Sequence, residues 1–561
     1  MWRSVTDGLA RGSLRPALTL GLLVAVVFGP AVGFDFVRWD DPVNVTHNPL
    51  LTEPWSVDLL ARLVNGDTAL RFKPLPWLLY RGLYAGFGFN PMAWHTASLV
   101  LHLAAALVLR LVLRDLLARL YPTTAVATRD WLAWCGAALW AVHPAHVEPA
   151  CWVTATPYPL MVFFLAGSFR FYLRAMDPAQ PAQARANLWR AWWLALAAYA
   201  TYPVAATYGL WLMAADVWIF RTAPENWRER REMGRWLARH AAFLLPAVIG
   251  VMITLKSSSA TPWLYLAPPT LAEVDLAVRL KMNAALLSSV WTNLLWPFGQ
   301  TPNNAILPSW RIDGALIPVM ASLAVLALAA VWFLRRRCPR LAGVLFGSTL
   351  LALPVLGFGQ WPHWAVADRH AYLAHMILTG GLVAGLAALP FFSGPKARGT
   401  PWLMIALAGL ALLGRNQVMI WRDTDTLFRY VEAQPAFSWN PAQQGYIYQL
   451  WAAHAEEQGR TNEARTRNGQ ARRALQEGSL LAAEHGAFGE AVEISRLLEQ
   501  SFGLPPQLRR ERARWLLGLG RFTEAGHDLR RTAAEMPDDQ ETRTLVEEWL
   551  RGKQPVAGNH L

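Results

Sequence analysis

With 561 residues, a net charge of +13 and 54% hydrophobic side chains including 29 Trp, the chain carries far more apolar surface than a water-soluble fold of its length needs. The positive charge does not read as a nucleic-acid surface, because the arginines fall in short segments between apolar runs, where the positive-inside rule places them. Cys135, Cys151 and Cys338 lie in or beside apolar runs without metal-ligand spacing, so they support neither a disulfide framework nor a cysteine zinc site.

The first apolar run, 16–34, follows Arg3, Arg11 and Arg15 as a signal sequence would. No small-residue cleavage site follows it, and it reads as a retained signal anchor. Further runs of spanning length are expected at 92–113, 131–146, 158–174, 188–201, 203–220, 239–256, 315–334, 341–359, 371–391 and 401–420, making about eleven spans. Arg110–Arg129, Arg170–Arg190, Arg221–Arg239, Arg335–Arg340 and Lys396 with Arg398 fall in alternate connections. That parity puts the N-terminus in the cytoplasm and the C-terminus outside. The stretch 257–314 contains an apolar region, Leu286–Phe298. Counting it as a span would carry Arg335–Arg340 outside, so it is expected to be an external re-entrant or interfacial segment.

Residues 35–91 form a long first external loop that opens with Phe34-Asp35-Phe36-Val37-Arg38-Trp39-Asp40-Asp41. Two adjacent carboxylates where a membrane helix surfaces are costly unless water or a ligand meets them. Asp40 and Asp41 are therefore the leading candidates for chemistry, as a general base with a pKa raised by its neighbour or as oxygen ligands for a divalent cation. The plainer reading is a solvated loop start or a helix N-cap. The preference for the base falls on Asp41, with Asp40 supporting it or binding acceptor.

The same parity places three more polar motifs on that face: His143-Pro144-Ala145-His146-Val147-Glu148-Pro149, the Thr201-Tyr202-Pro203 hairpin, and Asp368-Arg369-His370-Ala371-Tyr372. His143, His146 and Glu148 lack the helical His-Glu-x-x-His register of zinc sites, so no metal is assigned there. They are candidates for hydrogen-bonding a sugar or phosphate, against a structural polar turn. Arg369 is placed to grip a lipid-linked phosphate with forked hydrogen bonds, against a plain salt bridge with Asp368. His95 and His102, on apolar helical faces, read as core residues. No Walker loop, dinucleotide fingerprint or Gly-x-Ser-x-Gly is present, which removes ATP-driven transport and common hydrolase chemistry from the leading options.

From 423 to 561 the composition turns to charged helical sequence in which Gly459-Arg460-Thr461-Asn462-Glu463-Ala464, Gly486-Ala487-Phe488-Gly489-Glu490-Ala491 and Gly520-Arg521-Phe522-Thr523-Glu524-Ala525 repeat one signature. The last two lie roughly 34 residues apart, the tetratricopeptide period. A small external α-solenoid of about three helix pairs is expected.

The motifs together resemble a known family, the GT-C glycosyltransferases that use lipid-phosphate sugars, and within it the TMTC-like protein O-mannosyltransferases with C-terminal tetratricopeptide repeats. The stretches that carry the resemblance are Phe36–Asp41 with Asn48-Pro49, Lys73-Pro74-Leu75, Phe87–Pro91 with His95 and His102, His143–Glu148, Asp368–Leu373 and Trp421-Arg422-Asp423. The resemblance implies an all-α GT-C domain at 1–422 with its site on the external face, followed by an external repeat domain at 423–561. It implies Asp40 or Asp41 as the base, Arg369 and Lys73 as donor-phosphate contacts, and a polyprenyl-phosphate sugar as donor. An exported protein recruited by the repeats would be the acceptor. His143, His146, Glu148, Asp368, His370 and Tyr202 are candidate substrate contacts. The chain departs from relatives at Thr154–Tyr158 and at Tyr202, where they carry basic residues.

The expected function is accordingly a glycosyltransferase of a bacterial inner membrane, with its repeats in the periplasm, acting on a protein hydroxyl. The alternatives are a non-catalytic repeat scaffold for envelope assembly and a lipid-linked glycan transporter.

Overall fold

Every regular element among the described residues is helical, as a chain in hydrocarbon requires, because a helix satisfies its own backbone polar groups. The computed structural model describes residues 11–65, 72–224, 229–260, 276–300, 317–356, 367–393, 398–435, 437 and 440–552.

Helix α1, Arg11–Phe28, leads through a 3-10 turn at Gly29–Gly33 into the extended Asp-pair loop. Helix α2, Pro74–Phe87, stops at Gly88, whose φ of 57° suits a residue without a Cβ. Helix α3, Pro91–Leu120, then starts with Asn90 accepting the Met92 N–H and proline in its first turn. Asn48 with Pro49 and Asn440 with Pro441 open their helices the same way. These Asn-Pro pairs are start signals: the amide caps an orphan N–H, and proline occupies a position that has no hydrogen bond to lose.

The bundle continues with α4 (Val126–Ala141), α5 (Pro157–Ala175), α6 (Ala184–Tyr199), α7 (Tyr208–Ala214) and α8 (Arg230–Ala260). It is completed by α9 (Leu276–Leu295), α10 (Ile317–Leu334), α11 (Pro339–Ala352), α12 (Ala371–Ala388) and α13 (Thr400–Val418). Among the described residues six helical stretches are long and apolar enough to cross a membrane: Leu14–Gly33, Pro91–Leu120, Pro203–Phe220, Arg230–Lys256, Asp368–Ala388 and Thr400–Trp421. The pair Pro144–Cys151 and Val153–Ala175, bent by 97°, adds a seventh if taken as one broken span. The other runs expected to span also fall on helices, but α4 and α6 have 16 residues each, about 24 Å, short of a hydrocarbon core of about 30 Å. The chain is an integral membrane protein.

Of the stretch 257–314, expected as an external re-entrant or interfacial segment, only part is described. Residues 261–275 and 301–316 lie outside those described, and between them α9 is one unbroken helix of 20 residues. It packs along α10 and α12 and buries Ala285, Leu286, Leu287 and Val290.

The two ends of the bundle differ in charge. In its first turn α3 meets the Asp-pair loop, with Trp94 on Phe36 at 6.0 Å and the His95 ring at 3.3 Å from the Asp35 carbonyl. Near its far end Arg119 donates to the Met176 carbonyl just beyond α5, and α5 alone is about 28 Å long. At that far end Arg170 and Arg174 each donate to Asp115 at 3.1 Å, and Arg340 lies over Tyr121. Asp216 is the linchpin there. Its Oδ2 accepts from Tyr172 Oη (2.8 Å), Trp236 Nε1 (3.1 Å), Arg239 Nη2 (2.8 Å) and His240 Nε2 (3.1 Å), joining the Pro203–Phe220 stretch to α5 and α8. Removing a fully buried carboxylate strands its cation, so Asp216→Ala is expected to cost about 3 kcal/mol. Thermal unfolding of the purified protein in detergent measures it, and an unchanged midpoint would refute the assignment.

Composition changes at Asp423, but packing does not. Trp421, Leu427, Phe428 and Val431 on and before α14 (Thr424–Glu432), and Ile447 and Trp451 on α15 (Pro441–Glu457), belong to the same apolar cluster as the membrane helices. A separate core starts only at Leu475 on α16 (Thr461–Glu484). Helices α17 (Phe488–Phe502), α18 (Pro506–Gly518), α19 (Phe522–Glu535) and α20 (Gln540–Gly552) follow, each packed on the one before. The three signature glycines share one geometry. Gly459, Gly486 and Gly520 all have φ near 72°, and the next N–H reaches back to Ala455, Ala482 and Leu516 carbonyls at 2.8–2.9 Å. This is a Schellman stop, which favours glycine at the left-handed position.

Candidate active site

The Asp-pair loop is held from both sides. Asp35 N donates to the Arg422 carbonyl (3.1 Å) and Arg38 N to Thr424 Oγ1 (2.9 Å), Trp39 packs on Phe428, and Arg38 pairs with Glu457. The linker after α13 thus fixes the loop that presents the acids.

Asp41 turns inward and is 1% exposed. Its Oδ2 accepts the Val37 N–H (2.9 Å), and its Oδ1 accepts the Thr154 N–H (3.2 Å) and Thr154 Oγ1–H (2.6 Å). Burial outweighs these three bonds and pushes its pKa up to about 7. Asp40 stays half-buried, and its backbone carbonyl shapes the turn by accepting Asn44 N (2.9 Å) and Nδ2 (3.0 Å). Asn44 Oδ1 in turn accepts from Lys73 Nζ at 2.8 Å, and that ammonium sits 4.3 Å from the Trp77 ring. Lys73 is therefore tied to the Asp40 turn through Asn44.

Arg369 lies in a 3-10 turn, Asp368–His370, that feeds α12. The salt bridge with Asp368 is not what forms. Neighbours in such a turn point apart, and Arg369 pairs through Nη1 with Glu148, which also accepts the Arg369 N–H at 2.9 Å. The guanidinium lies 5.2 Å from the Trp152 ring, and Trp152 stacks on Trp421 at 5.6 Å. Asp40, Tyr158 and Tyr202 are near enough for their charges to act on Arg369, and Tyr158 and Tyr202 face each other at 5.0 Å. Buried Asp368 instead faces Gln300, whose amide nitrogen, turned inward, donates to both carboxylate oxygens. His370 closes the same turn.

The structure thus brings together Asp40, Asp41, Glu148, Arg369 and Tyr202, with Lys73 two hydrogen bonds behind through Asn44. It does not bring His143 and His146 to them as substrate contacts, because both are buried and their rings turn toward His375 in α12. His95 and His102 are core residues; His102 bonds Tyr372 Oη (2.7 Å) and the Ala141 carbonyl (2.9 Å). Thr154 and Asn44 escaped the sequence reading as site residues. Thr154 was visible only as a departure from relatives, and Asn44 carried no signal. A divalent cation fits Asp41 poorly, since three N–H and O–H hydrogens already point at the lone pairs a metal would need.

These features define an integral membrane protein, all-helical among the described residues, with polar loops converging at one end of the bundle and a helical array at its C-terminus. No family model matches the chain. It is similar to "Protein O-mannosyl-transferase TMTC4" of Homo sapiens, at 23% identity over 481 residues covering 73% of this chain. The chain spans 61% of that protein's length. The motif resemblance to TMTC-like GT-C glycosyltransferases is thus met by similarity over most of the chain. Among solved structures, ArnT from Cupriavidus metallidurans, bound to undecaprenyl phosphate and in the apo state, aligns at a TM-score of 0.37 with 13% and 14% identity. The two alignments cover 88% and 90% of this chain and 79% and 80% of ArnT.

Proposed function

We propose that the chain transfers a sugar from a polyprenyl-phosphate carrier to an external acceptor, a hydroxyl of an exported protein. The observation that carries this reading is the Glu148-anchored Arg369 at one end of a membrane bundle, with the Asp40 carboxylate near enough for its charge to act on it, in a chain similar to a protein O-mannosyltransferase. A carboxylate within electrostatic reach of a guanidinium suits glycosyl transfer from a phosphate. Asp40 takes the acceptor hydroxyl proton, the freed oxygen bonds to the anomeric carbon, and the bond from that carbon to the phosphate oxygen breaks. The electron pair leaves with the polyprenyl phosphate, whose charge Arg369 stabilises. Glu148 holds the guanidinium in place, so little reorganisation is needed when charge develops. Lys73 adds positive field behind the Asp40 turn, and Tyr158 and Tyr202 offer rings and hydroxyls to a sugar. Asp41 with Thr154 sets the loop. The C-terminal helices, read as tetratricopeptide-like repeats on the external side, orient the protein acceptor.

Mass spectrometry of exported proteins from cells with and without the gene tests this. Hexose-bearing peptides should vanish on deletion and return with the wild-type chain but not with Asp40→Asn. An unchanged glycan profile on deletion would overturn the proposal.

A further inference from the structure

The arginine-rich end of the bundle, opposite the candidate active site, holds a cavity of about 490 Å³. Its walls come from the end of α3, from the Trp218–Arg221 corner that closes the Pro203–Phe220 stretch, and from the turn that leads into α11. Arg119, Arg221, Arg337 and Arg340 all line it. The bias of arginine toward one side of a membrane explains a charged end. It does not explain four guanidinium groups converging on one cavity, nor a gap between elements that otherwise pack so closely. One turn further into α11, a Cβ added at Gly343 would lie 2.8 Å from Ile219 and 2.9 Å from Trp218. Trp218 also meets Phe346 edge-on at 4.8 Å.

The carboxylates of this end are already taken, Asp115 by Arg170 and Arg174 and Asp216 by Arg239. Among the described residues none of the four cavity arginines forms an ion pair. Arg119 is half-buried; its Nη1 donates to the Met176 carbonyl (3.1 Å) and its guanidinium lies 4.9 Å from the Phe220 ring. Arg221, Arg337 and Arg340 are exposed. Arg221 has a φ of 55° and, among the described residues, is the one non-glycine residue with a positive φ. Glycine fits a left-handed helix stop at least cost, so the backbone gives no reason for an arginine there. A guanidinium at the cavity does. Like charges around one cavity repel, and a bound anion relieves them.

We infer that this cavity binds the headgroup phosphate of an anionic membrane phospholipid, which the guanidinium groups hold by forked hydrogen bonds. Basic pockets between membrane helices are suited to such headgroups. A lone phosphate ion would leave most of the space empty, whereas the volume falls in the range of pockets that enclose larger molecules. The surroundings favour a lipid over a soluble phosphate. Leu341 lines the cavity and is 49% exposed, and Trp332 and Phe333, just before the turn, are exposed as well. Acyl chains attached to the bound phosphate would run over these apolar side chains. The lipid bridges α3, the Pro203–Phe220 stretch and α11, clamping the end of the bundle remote from the candidate active site. It does not depend on the glycosyl-transfer reading.

The test uses the full-length chain in detergent micelles at physiological salt, where attraction between exposed charges is largely screened. Added dioleoylphosphatidylglycerol should raise the unfolding midpoint saturably, whereas dioleoylphosphatidylcholine and inorganic phosphate should not. Arg337→Gln combined with Arg340→Gln should weaken the apparent affinity for phosphatidylglycerol by about tenfold or more. Arg335→Gln combined with Arg336→Gln removes the same charge from the same turn, but neither residue lines the cavity, and Arg335 lies 3.5 Å over the Trp332 ring instead. That pair should weaken it by about threefold at most. Native mass spectrometry of the wild-type protein, which needs no variant, should show phosphatidylglycerol retained at energies that strip phosphatidylcholine. Equal losses in the two double variants, or equal responses to the two lipids, would reduce the effect to surface charge and overturn the site. A midpoint shift with inorganic phosphate alone, abolished in Arg337→Gln with Arg340→Gln, would make the occupant a soluble phosphate and overturn the lipid.

Discussion

Asp40→Asn is expected to slow sugar transfer by about 10²–10⁴-fold while leaving thermal unfolding unchanged. The turn at Asp40 is shaped by its backbone carbonyl, which Asn44 occupies, and an amide side chain preserves that. What the amide lacks is the capacity to take a proton. Asp41→Asn should behave differently. Its two oxygens receive three donors, and an amide NH2 placed against one of them leaves that buried donor unsatisfied, costing about 1–3 kcal/mol. The pH dependence separates the two residues further. The Asp41 pKa is raised from its ordinary value to about 7, so between those values the folded chain binds a proton that the unfolded chain does not. The stability this contributes is fully present below the unfolded pKa and is lost as pH rises through about 7. Wild-type melting temperature should therefore fall from about pH 5 to about pH 8 by more than that of Asp41→Asn. Initial rates in membranes and melting curves across that range check both statements. Wild-type rates in Asp40→Asn, with transfer lost in Asp41→Asn, would move the base to Asp41.

The sequence preferred Asp41 for that role, and the reason it did so shows what a pattern can carry. Adjacent acids after a span are visible as an anomaly, but which of them turns inward depends on Thr154, 113 residues away. Convergence was legible, because counting spans and arginines put Asp40, Glu148, Tyr202 and Arg369 at one end, and those residues do gather. The Schellman glycines were legible too, since a left-handed helix stop leaves a local mark. Pairings that cross the chain were not. Asp368 stands next to Arg369 in sequence, yet the ion pair forms with Glu148, 221 residues away. His375 and Asp216 are single polar residues in apolar runs, and one residue has no period to detect. The shared core of α14 and α15 with the membrane helices was hidden because Asp423 marks a change in charge, whereas packing follows Trp421, Phe428 and Trp451 across it.

Glu148→Ala should be among the most damaging single changes in the candidate site, costing about 3–5 kcal/mol. Glu148 is 2% exposed and the Arg369 side chain 17%, so truncating the acid leaves a nearly buried guanidinium without its counter-ion and the Arg369 N–H without an acceptor. Arg369→Met strands Glu148 in the same way. Removing both charges strands neither, so Glu148→Ala combined with Arg369→Met should melt closer to the wild type than the sum of the two single changes allows. Transfer activity should follow a different order. If Arg369 stabilises the departing phosphate, the double variant recovers stability without recovering rate. Arg369→Lys, which keeps the charge but loses the fork, should lower kcat by about 10²-fold, with a smaller change in KM. Melting curves and initial rates on the same four proteins separate the two roles. A double variant that regains transfer along with stability would show that the pair only holds the fold, and the phosphate contact would then have to come from Lys73 or from elsewhere in the chain.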